Sequence, residues 1–188
     1  TDIQQLIQIK LTQIKHKMNT DNKKQAQMQP RVTIFKNIKE TEAPFHRELE
    51  VVLLRIKNGA TKKLVKEIRQ TKDKIERNEL KRRLPAICFS GIFQKRQDAS
   101  IEEHSGIICL DFDGYEKKKI LLEHKERLSK DQYVYSAFIS PSGNGLKALI
   151  KIPTDINNHV NYFNSLEKYF DSKYFDKTSK NISRVCYE

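Results

Sequence analysis

The stretch GIICLDFDG, residues 106–114, constrains the fold of this chain more than any other. Its first half is apolar, which is typical of a buried strand that lies near an active-site edge. Residues two apart on a strand share a face, so Asp111 and Asp113 project together while Leu110 and Phe112 point into the core. Two adjacent carboxylates repel, and their burial costs free energy unless positive charge lies between them. The stretch therefore predicts a site for Mg²⁺ or Mn²⁺, which prefer oxygen ligands; the alternative is an exposed Asp-Gly turn.

A second motif, SPSGNGLK, separates two apolar segments and begins at Ser140. Gly143 and Gly145 allow backbone conformations closed to other residues and let N–H groups approach a phosphate. Ser140 and Ser142 can donate hydroxyl hydrogen bonds, and Lys147 adds positive charge where the next strand begins. The motif predicts a nucleotide-binding loop, and an ordinary glycine hairpin is the alternative.

The third motif, YFDKTSKNISRVCY, lies close to residue 188. Asp176 is the candidate for a third metal-binding carboxylate, unless it is an ordinary turn aspartate. Arg184 stands at the start of a strand, and its planar guanidinium can hold a triphosphate through paired hydrogen bonds. These two residues complete the set of candidate site residues near the DxD pair.

The charge balance predicts a polyanionic partner. The chain has 36 Lys and Arg residues against 24 Asp and Glu residues, a formal net charge of +12. Such an excess suits nucleic acid above all. Lys and Arg predominate from Arg55 to Arg96, and within this stretch the sequence predicts one long charged helix over residues 61–84. Its residues Lys62, Lys66 and Arg69 are predicted to bind the nucleic-acid backbone; the alternative is a simply solvated face.

Periodicity predicts an α+β fold, with residues 1–30 forming an amphipathic helix and a polar linker, and residues 31–188 forming one domain. The helices are expected to return the chain to a single sheet. Strands are predicted over residues 31–38, 86–93, 106–114, 133–140, 146–153 and 183–188, and helices over residues 3–18, 45–59, 61–84, 117–130 and 159–174. The last strand stops abruptly, so we expect the native domain to continue beyond residue 188.

The cysteines and the hydropathy pattern indicate the compartment. Cys88, Cys109 and Cys186 are widely spaced in apolar segments, which favours reduced core residues of an intracellular protein over a zinc site. No apolar run approaches the ~20 residues of a membrane span, so no membrane partner is expected.

In combination, HSGIICLDFDG, SPSGNGLKALIKIP and KNISRVCYE resemble the motifs of the archaeo-eukaryotic primase superfamily. More narrowly, residues 31–188 resemble the primase-polymerase-like domains that begin multidomain replication proteins of bacteria and mobile elements. Those proteins often continue into a virulence-protein-E-like helicase/ATPase region, which is then a possible partner within the full-length protein. The resemblance also implies a cytoplasmic location.

The resemblance implies an RRM-like catalytic core joined to an N-terminal α/β unit. It implies metal-dependent nucleotidyl transfer by two ions, with nucleoside triphosphates as substrates and single-stranded DNA as the template for primer synthesis or extension. Asp111 and Asp113 match the metal-binding pair of the first family motif. Asp176 is the candidate for the third carboxylate, and an acid beyond residue 188 is its rival.

The second family motif shows one departure. Ser142, Gly143 and Gly145 match it, but Lys147 stands where most members have a histidine that contacts the nucleotide phosphates. A lysine can neutralise phosphate, yet it cannot exchange a proton near pH 7 as histidine does.

Two other functions remain open from the sequence. One is a nucleic-acid-binding module that keeps the primase fold without catalytic activity, which the lysine at position 147 favours. The other is a haloacid-dehalogenase-like phosphatase, because the segment LDFDGY of this chain also resembles the first motif of that family. That fold requires a doubly wound parallel sheet, for which too few β-α units lie between Asp113 and Asp171.

Overall fold

The computed structural model describes residues 29–188, so the helix predicted over residues 3–18 and most of the linker predicted before residue 31 lie outside the described residues. The described part is α+β, as the sequence predicts. Its strands are β1 (Arg31–Phe35), β2 (Phe45–Glu48), β3 (Ala86–Cys88), β4 (Gly91–Phe93), β5 (Ile101–His104), β6 (Ile107–Phe112), β7 (Val134–Ile139), β8 (Leu146–Lys151) and β9 (Cys186–Tyr187). Its α-helices are α1 (Leu49–Lys57), α2 (Lys62–Gln70), α3 (Lys74–Lys81), α4 (Lys118–Ser129) and α5 (His159–Phe170).

The strands form three antiparallel sheets with the orders β2-β1-β3-β9, β4-β5 and β6-β8-β7. The expectation of a single sheet is therefore wrong. The strand predicted over residues 86–93 divides at a turn before Gly91, and its two halves join different sheets. A Cβ at Gly91 would lie only 1.9 Å from the carbonyl oxygen of Glu103, so close approach between β4 and β5 requires glycine.

Two further predictions for the N-terminal half are wrong in detail. The helix predicted over residues 45–59 starts only at Leu49, because Phe45–Glu48 pairs with β1 as an edge strand. The long helix predicted over residues 61–84 is two helices. Its break lies between α2 and α3, where the Asp73 carboxylate accepts a hydrogen bond of 2.8 Å from the Glu76 N–H and begins a new helix.

The sheet β6-β8-β7 positions the candidate site, since both of its faces are covered. One face, with Leu110 and Phe112, packs against α4 and α5. The other, with Ile107 and Leu149, packs against the hydrophobic side of the β2-β1-β3-β9 sheet, including Ile87. Alternate residues of a strand point to the same face, so Asp111 and Asp113 lie on the same face as Ile107. The aspartates therefore lie at the end of β6, beside the junction of two layers.

No helix within the described residues is long and apolar enough to cross a membrane. Cys88 and Cys186 are buried, Cys109 is partly buried, and all three are free thiols. The burial of Cys88 and Cys186 agrees with the prediction of core cysteines, and their reduced state stays a prediction.

Candidate metal and nucleotide site

Three aspartates meet at the end of β6. Asp111 is buried, with 4% of its surface exposed. After α5 the chain returns to β6, where Phe175 forms an antiparallel bridge with Phe112 and the Asp176 N–H donates a hydrogen bond of 2.8 Å to the Asp111 carbonyl. One carboxylate oxygen from each of Asp111, Asp113 and Asp176 lies within 4.8 Å of the others. The fold thus brings together the three carboxylates that the sequence singled out.

Lys147 lies directly across the β6–β8 ladder from Asp111, and its ammonium donates a hydrogen bond to the Asp111 carboxylate. Burial alone would lower the pKa of Lys147, but the adjacent Cys186 and Asp111 side chains reverse this and raise it above its usual value. The lysine is therefore a buried, permanently charged partner of Asp111. The role predicted for Lys147 from the sequence, contact with nucleotide phosphates, stays a prediction. In that role the same ammonium would also have to serve the ion pair with Asp111.

Arg184 adds a second positive charge on the other side of the carboxylates. Its Nη2 lies 3.7 Å from Asp111 Oδ2 and 3.5 Å from Asp176 Oδ2. The arginine is partly exposed, so its guanidinium borders both the aspartates and the solvent. This position is compatible with the triphosphate contact predicted from the sequence.

Asp176 is held by the turn that follows it. The Ser179 hydroxyl donates a hydrogen bond of 2.6 Å to Asp176 Oδ2, and the Thr178 hydroxyl donates one of 2.6 Å to Oδ1. Burial alone would raise the pKa of Asp176, but these hydrogen bonds and the charge of Arg184 lower it below its usual value. The roles of Ser179 and Thr178 were not predicted from the sequence. The one local pattern that could have indicated them is DKTS, whose composition is typical of a turn closed by an Asp side chain.

Gly145 provides the surface against which Asp113 packs. A Cβ at Gly145 would lie 2.2 Å from Asp113 Oδ1 and 3.0 Å from the Phe112 carbonyl oxygen. Asp113 as a whole is exposed to solvent, but the Gly145 backbone packs against its Oδ1 atom. Partial burial of the carboxylate raises the pKa of Asp113; Lys147 opposes this rise, and the charges of Asp111 and Asp176 add to it.

The loop itself is a tight turn. The Ser140 N–H donates to the Gly145 carbonyl at 2.8 Å, and the Gly143 N–H donates to the Ser140 carbonyl at 2.9 Å. Gly143 has φ +82°, a conformation that favours glycine. The Ser142 hydroxyl lies 3.2 Å from that of Ser140. The Gly143 N–H, one of those predicted to approach a phosphate, is thus already engaged within the turn.

Arg69 connects this loop to α2. Its Nε donates a hydrogen bond of 3.1 Å to the Pro141 carbonyl, and its Nη2 one of 3.4 Å to the Ser140 carbonyl. Lys62 and Lys66, on the same helix, are exposed. Binding of nucleic acid by these three residues stays a prediction, and Arg69 has in addition a structural role at the loop.

A family model described as BT4734-like, N-terminal domain, matches residues 79–188, more than half of the chain. The matched segment begins near the end of α3 and contains the three aspartates, the glycine loop, Lys147 and Arg184. No curated protein matches the chain, and no solved structure matches it.

Proposed function

This chain belongs to the BT4734-like N-terminal domain family, and we propose that it is a primase-polymerase that transfers nucleotides to a primer on single-stranded DNA. The observation that carries the proposal is the meeting of Asp111, Asp113 and Asp176, whose ligand oxygens lie within 4.8 Å of one another. Carboxylates so close together, one of them buried, repel one another, and a metal ion among them would offset that repulsion together with Lys147 and Arg184. The resemblance to primase motifs supplies the reaction class.

The donor set fits Mg²⁺ or Mn²⁺. Both ions prefer carboxylate oxygens, whereas zinc and copper sites use histidine and cysteine ligands. The ammonium of Lys147 already contacts Asp111, which indicates that a cation is favourable at this point. When bound, the metal would acidify a primer 3′-hydroxyl and stabilise negative charge on the phosphates.

The residues of the chain divide the remaining tasks. Asp111, Asp113 and Asp176 would hold the metal, and Arg184, which reaches both the carboxylates and the solvent, would bind the triphosphate. Lys147, which lies against Asp111, would neutralise phosphate charge beside the carboxylates. Catalysis would then depend on positioning and on charge, without a covalent intermediate.

One observation favours a second function, a nucleic-acid-binding module without activity. The Lys147–Asp111 ion pair satisfies the carboxylate without any metal, and a lysine at this position cannot exchange protons as histidine does. The phosphatase alternative is disfavoured, because it requires a parallel sheet and every strand pairing in residues 29–188 is antiparallel.

Calorimetry and primer extension test the proposal. Mn²⁺ should bind the wild-type protein and fail to bind Asp111→Asn/Asp113→Asn, whose circular dichroism should be unchanged. A primed single-stranded template should be extended by the wild type only. Mn²⁺ affinity that survives in the double variant contradicts the metal site. Mn²⁺ binding without primer extension favours the inactive module.

A further inference from the structure

A groove lies between the loop that follows β1 and the end of α3. Its volume is about 620 Å³, within the range of about 300–1,000 Å³ that is usual for ligand pockets. Its walls carry four cations, Lys36, Lys39, Arg82 and Arg83, and two carboxylates, Glu76 and Glu79. None of these six residues belongs to the candidate site or to the three sequence motifs, so the groove has no role so far.

Strand pairing places Lys36 in the groove. β1 and β3 are antiparallel, with Phe35 directly opposite Ala86. Lys36 follows Phe35, and Pro85 precedes Ala86, so these two residues are neighbours at the same end of the sheet. Both line the groove. The position of Lys36 is therefore a consequence of the sheet register.

The loop that carries Lys39 is held by its own hydrogen bonds. The Asn37 Oδ1 accepts one of 2.9 Å from the Lys39 N–H and one of 3.2 Å from the Glu40 N–H. From outside the loop, Arg96 Nη1 donates a hydrogen bond of 2.6 Å to the Ile38 carbonyl. The backbone of this wall is thus fixed before any ligand arrives, which reduces the entropy cost of binding.

The opposite wall is one face of α3 and its extension. Glu76, Glu79, Leu80 and Arg83 are spaced by three, four and seven residues, which puts them on one side of a helix. The Arg83 N–H donates a hydrogen bond of 3.1 Å to the Leu80 carbonyl, so the helical turn continues to the arginine. Leu80 also packs in the buried cluster with Ile68, which fixes the rotation of this face.

The charges of the groove are unbalanced. Arg82 Nη1 lies 2.8 Å from Glu79 Oε1, and this ion pair is neutral as a whole. No carboxylate within residues 29–188 lies at ion-pair distance from Lys36, Lys39 or Arg83. These three cations therefore face one remaining carboxylate, Glu76. A concave surface with such an excess of positive charge attracts a polyanion.

Strand β9 connects the groove with the candidate site. Tyr187 pairs with Ala86, the residue that follows the groove in β3, and it packs against the same buried cluster as α3. Arg184, three residues earlier, contacts the carboxylates of the metal site. Three residues span at most about 11 Å of extended chain. One extended polyanion can therefore occupy the groove and also reach the site.

We propose that this groove binds the phosphate backbone of the single-stranded template, with Lys36, Lys39 and Arg83 contacting its phosphates. This inference rests on the proposed function and names the surface that holds its template. A basic groove that follows the backbone is typical of proteins that bind single strands without sequence preference. The guanidinium of Arg83 can hold a phosphate through paired hydrogen bonds, and the lysines add point charges.

The test compares Lys36→Gln/Arg83→Gln with Lys119→Gln/Lys168→Gln, which removes the same charge from exposed residues of α4 and α5. Fluorescence anisotropy would measure the affinity of the protein for labelled oligothymidine in metal-free buffer at several salt concentrations. The groove variant should bind about 10-fold or more weakly at low salt, because charge-assisted contacts are lost. Its salt slope should fall by ~1.4, which is ~0.7 for each of two phosphate contacts.

The control variant should keep the wild-type salt slope, and Lys36→Arg should retain most of the affinity. Unchanged affinity and slope in the groove variant would overturn the assignment, and circular dichroism checks that its fold is intact. A loss of polyglutamate binding as large as the loss of oligothymidine binding would identify an acidic-peptide site instead. Groove-dependent oligothymidine binding by a wild type that does not bind Mn²⁺ would overturn the metal site and leave the groove assignment standing.

Discussion

Gly145 and Asp113 are in direct contact, because the backbone of the loop forms the wall of the carboxylate site. A methyl group at position 145 would meet Asp113 Oδ1 at 2.2 Å and the Ser140 Oγ at 3.1 Å. The glycine is therefore required for the placement of a carboxylate, in addition to any role in approaching a phosphate.

The first prediction follows from this contact. Gly145→Ala should displace the Asp113 carboxylate and weaken Mn²⁺ binding about 10-fold or more, measured by calorimetry, since one charged ligand is displaced. Gly59→Ala is the control: its φ of +68° makes alanine cost ~1–2 kcal/mol in stability, at a position outside the site. Equal Mn²⁺ affinity in both variants would mean that the loop yields without moving Asp113.

The second prediction concerns the Lys147–Asp111 ion pair. Lys147→Met should lower the free energy of unfolding of the metal-free protein by about 3 kcal/mol, because it leaves a buried carboxylate without its main partner. It should also tighten Mn²⁺ binding, because a competing cation is gone, and weaken nucleotide binding about 10- to 150-fold. Thermal unfolding with and without Mn²⁺ measures the first two effects.

A lysine that merely covers the strand would give a different result. Unchanged stability and unchanged nucleotide affinity in Lys147→Met would contradict both roles. Lys147→His should recover part of the nucleotide affinity, and more of it at pH 6 than at pH 8, where the imidazole is neutral.

The third prediction uses the raised pKa of Asp113. A raised pKa means that the folded protein favours the protonated carboxyl, so stability is lost as pH rises through that pKa. Asp113→Asn should therefore stabilise the metal-free protein at pH 7, by less than about 1 kcal/mol because the residue is exposed to screening solvent. The gain should vanish as the pH falls toward 3, and a variant that is less stable than wild type at pH 7 would contradict the burial argument.

The fourth prediction concerns the buried histidine pair His104 and His159, whose ring nitrogens lie 3.0 Å apart. The Gly106 N–H donates to His104 Nδ1, so His104 Nε2 carries the proton and donates to His159. Burial lowers the pKa of each to about 4. Between pH 6.5 and pH 4 these two histidines bind more protons in the unfolded chain than in the folded protein. The stability that the neutral pair contributes is therefore fully present above pH 6.5 and is lost as the pH falls.

That loss should reach about 3 kcal/mol per histidine near pH 4. His159→Asn, whose Oδ1 can accept the hydrogen bond from His104, should flatten the pH dependence of urea unfolding in this range. An unchanged slope would show that acid unfolding arises at other groups, such as the low-pKa carboxyl of Asp176.

The fifth prediction separates the roles of α2. Lys62→Glu/Lys66→Glu should weaken single-stranded DNA binding and reduce the slope of its salt dependence by ~0.7 for each phosphate that the helix no longer neutralises. Arg69 is left unchanged, since its removal would also release the Pro141 and Ser140 carbonyls. An unaltered salt slope would mean that this face is only solvated.

The sequence by itself determined the elements whose signal is local. The predictions for β6, β7 and β8 depend on apolar runs bounded by glycine and proline, and the structure has those strands. The shared face of Asp111 and Asp113 follows from the two-residue period of a strand. Both conclusions use residues that are adjacent in the chain, and the metal and nucleotide roles of these residues stay predictions.

Only the tertiary structure decided which partners these residues meet. Asp176 reaches Asp111 because Phe175 pairs with Phe112, sixty-three positions earlier in the chain, and Lys147 faces Asp111 because of the β6–β8 register. The break between α2 and α3 lets Ile68 of the first helix and Leu80 of the second meet in one buried cluster. Register, strand division and helix packing are set by long-range burial of apolar surface, which a local pattern does not encode.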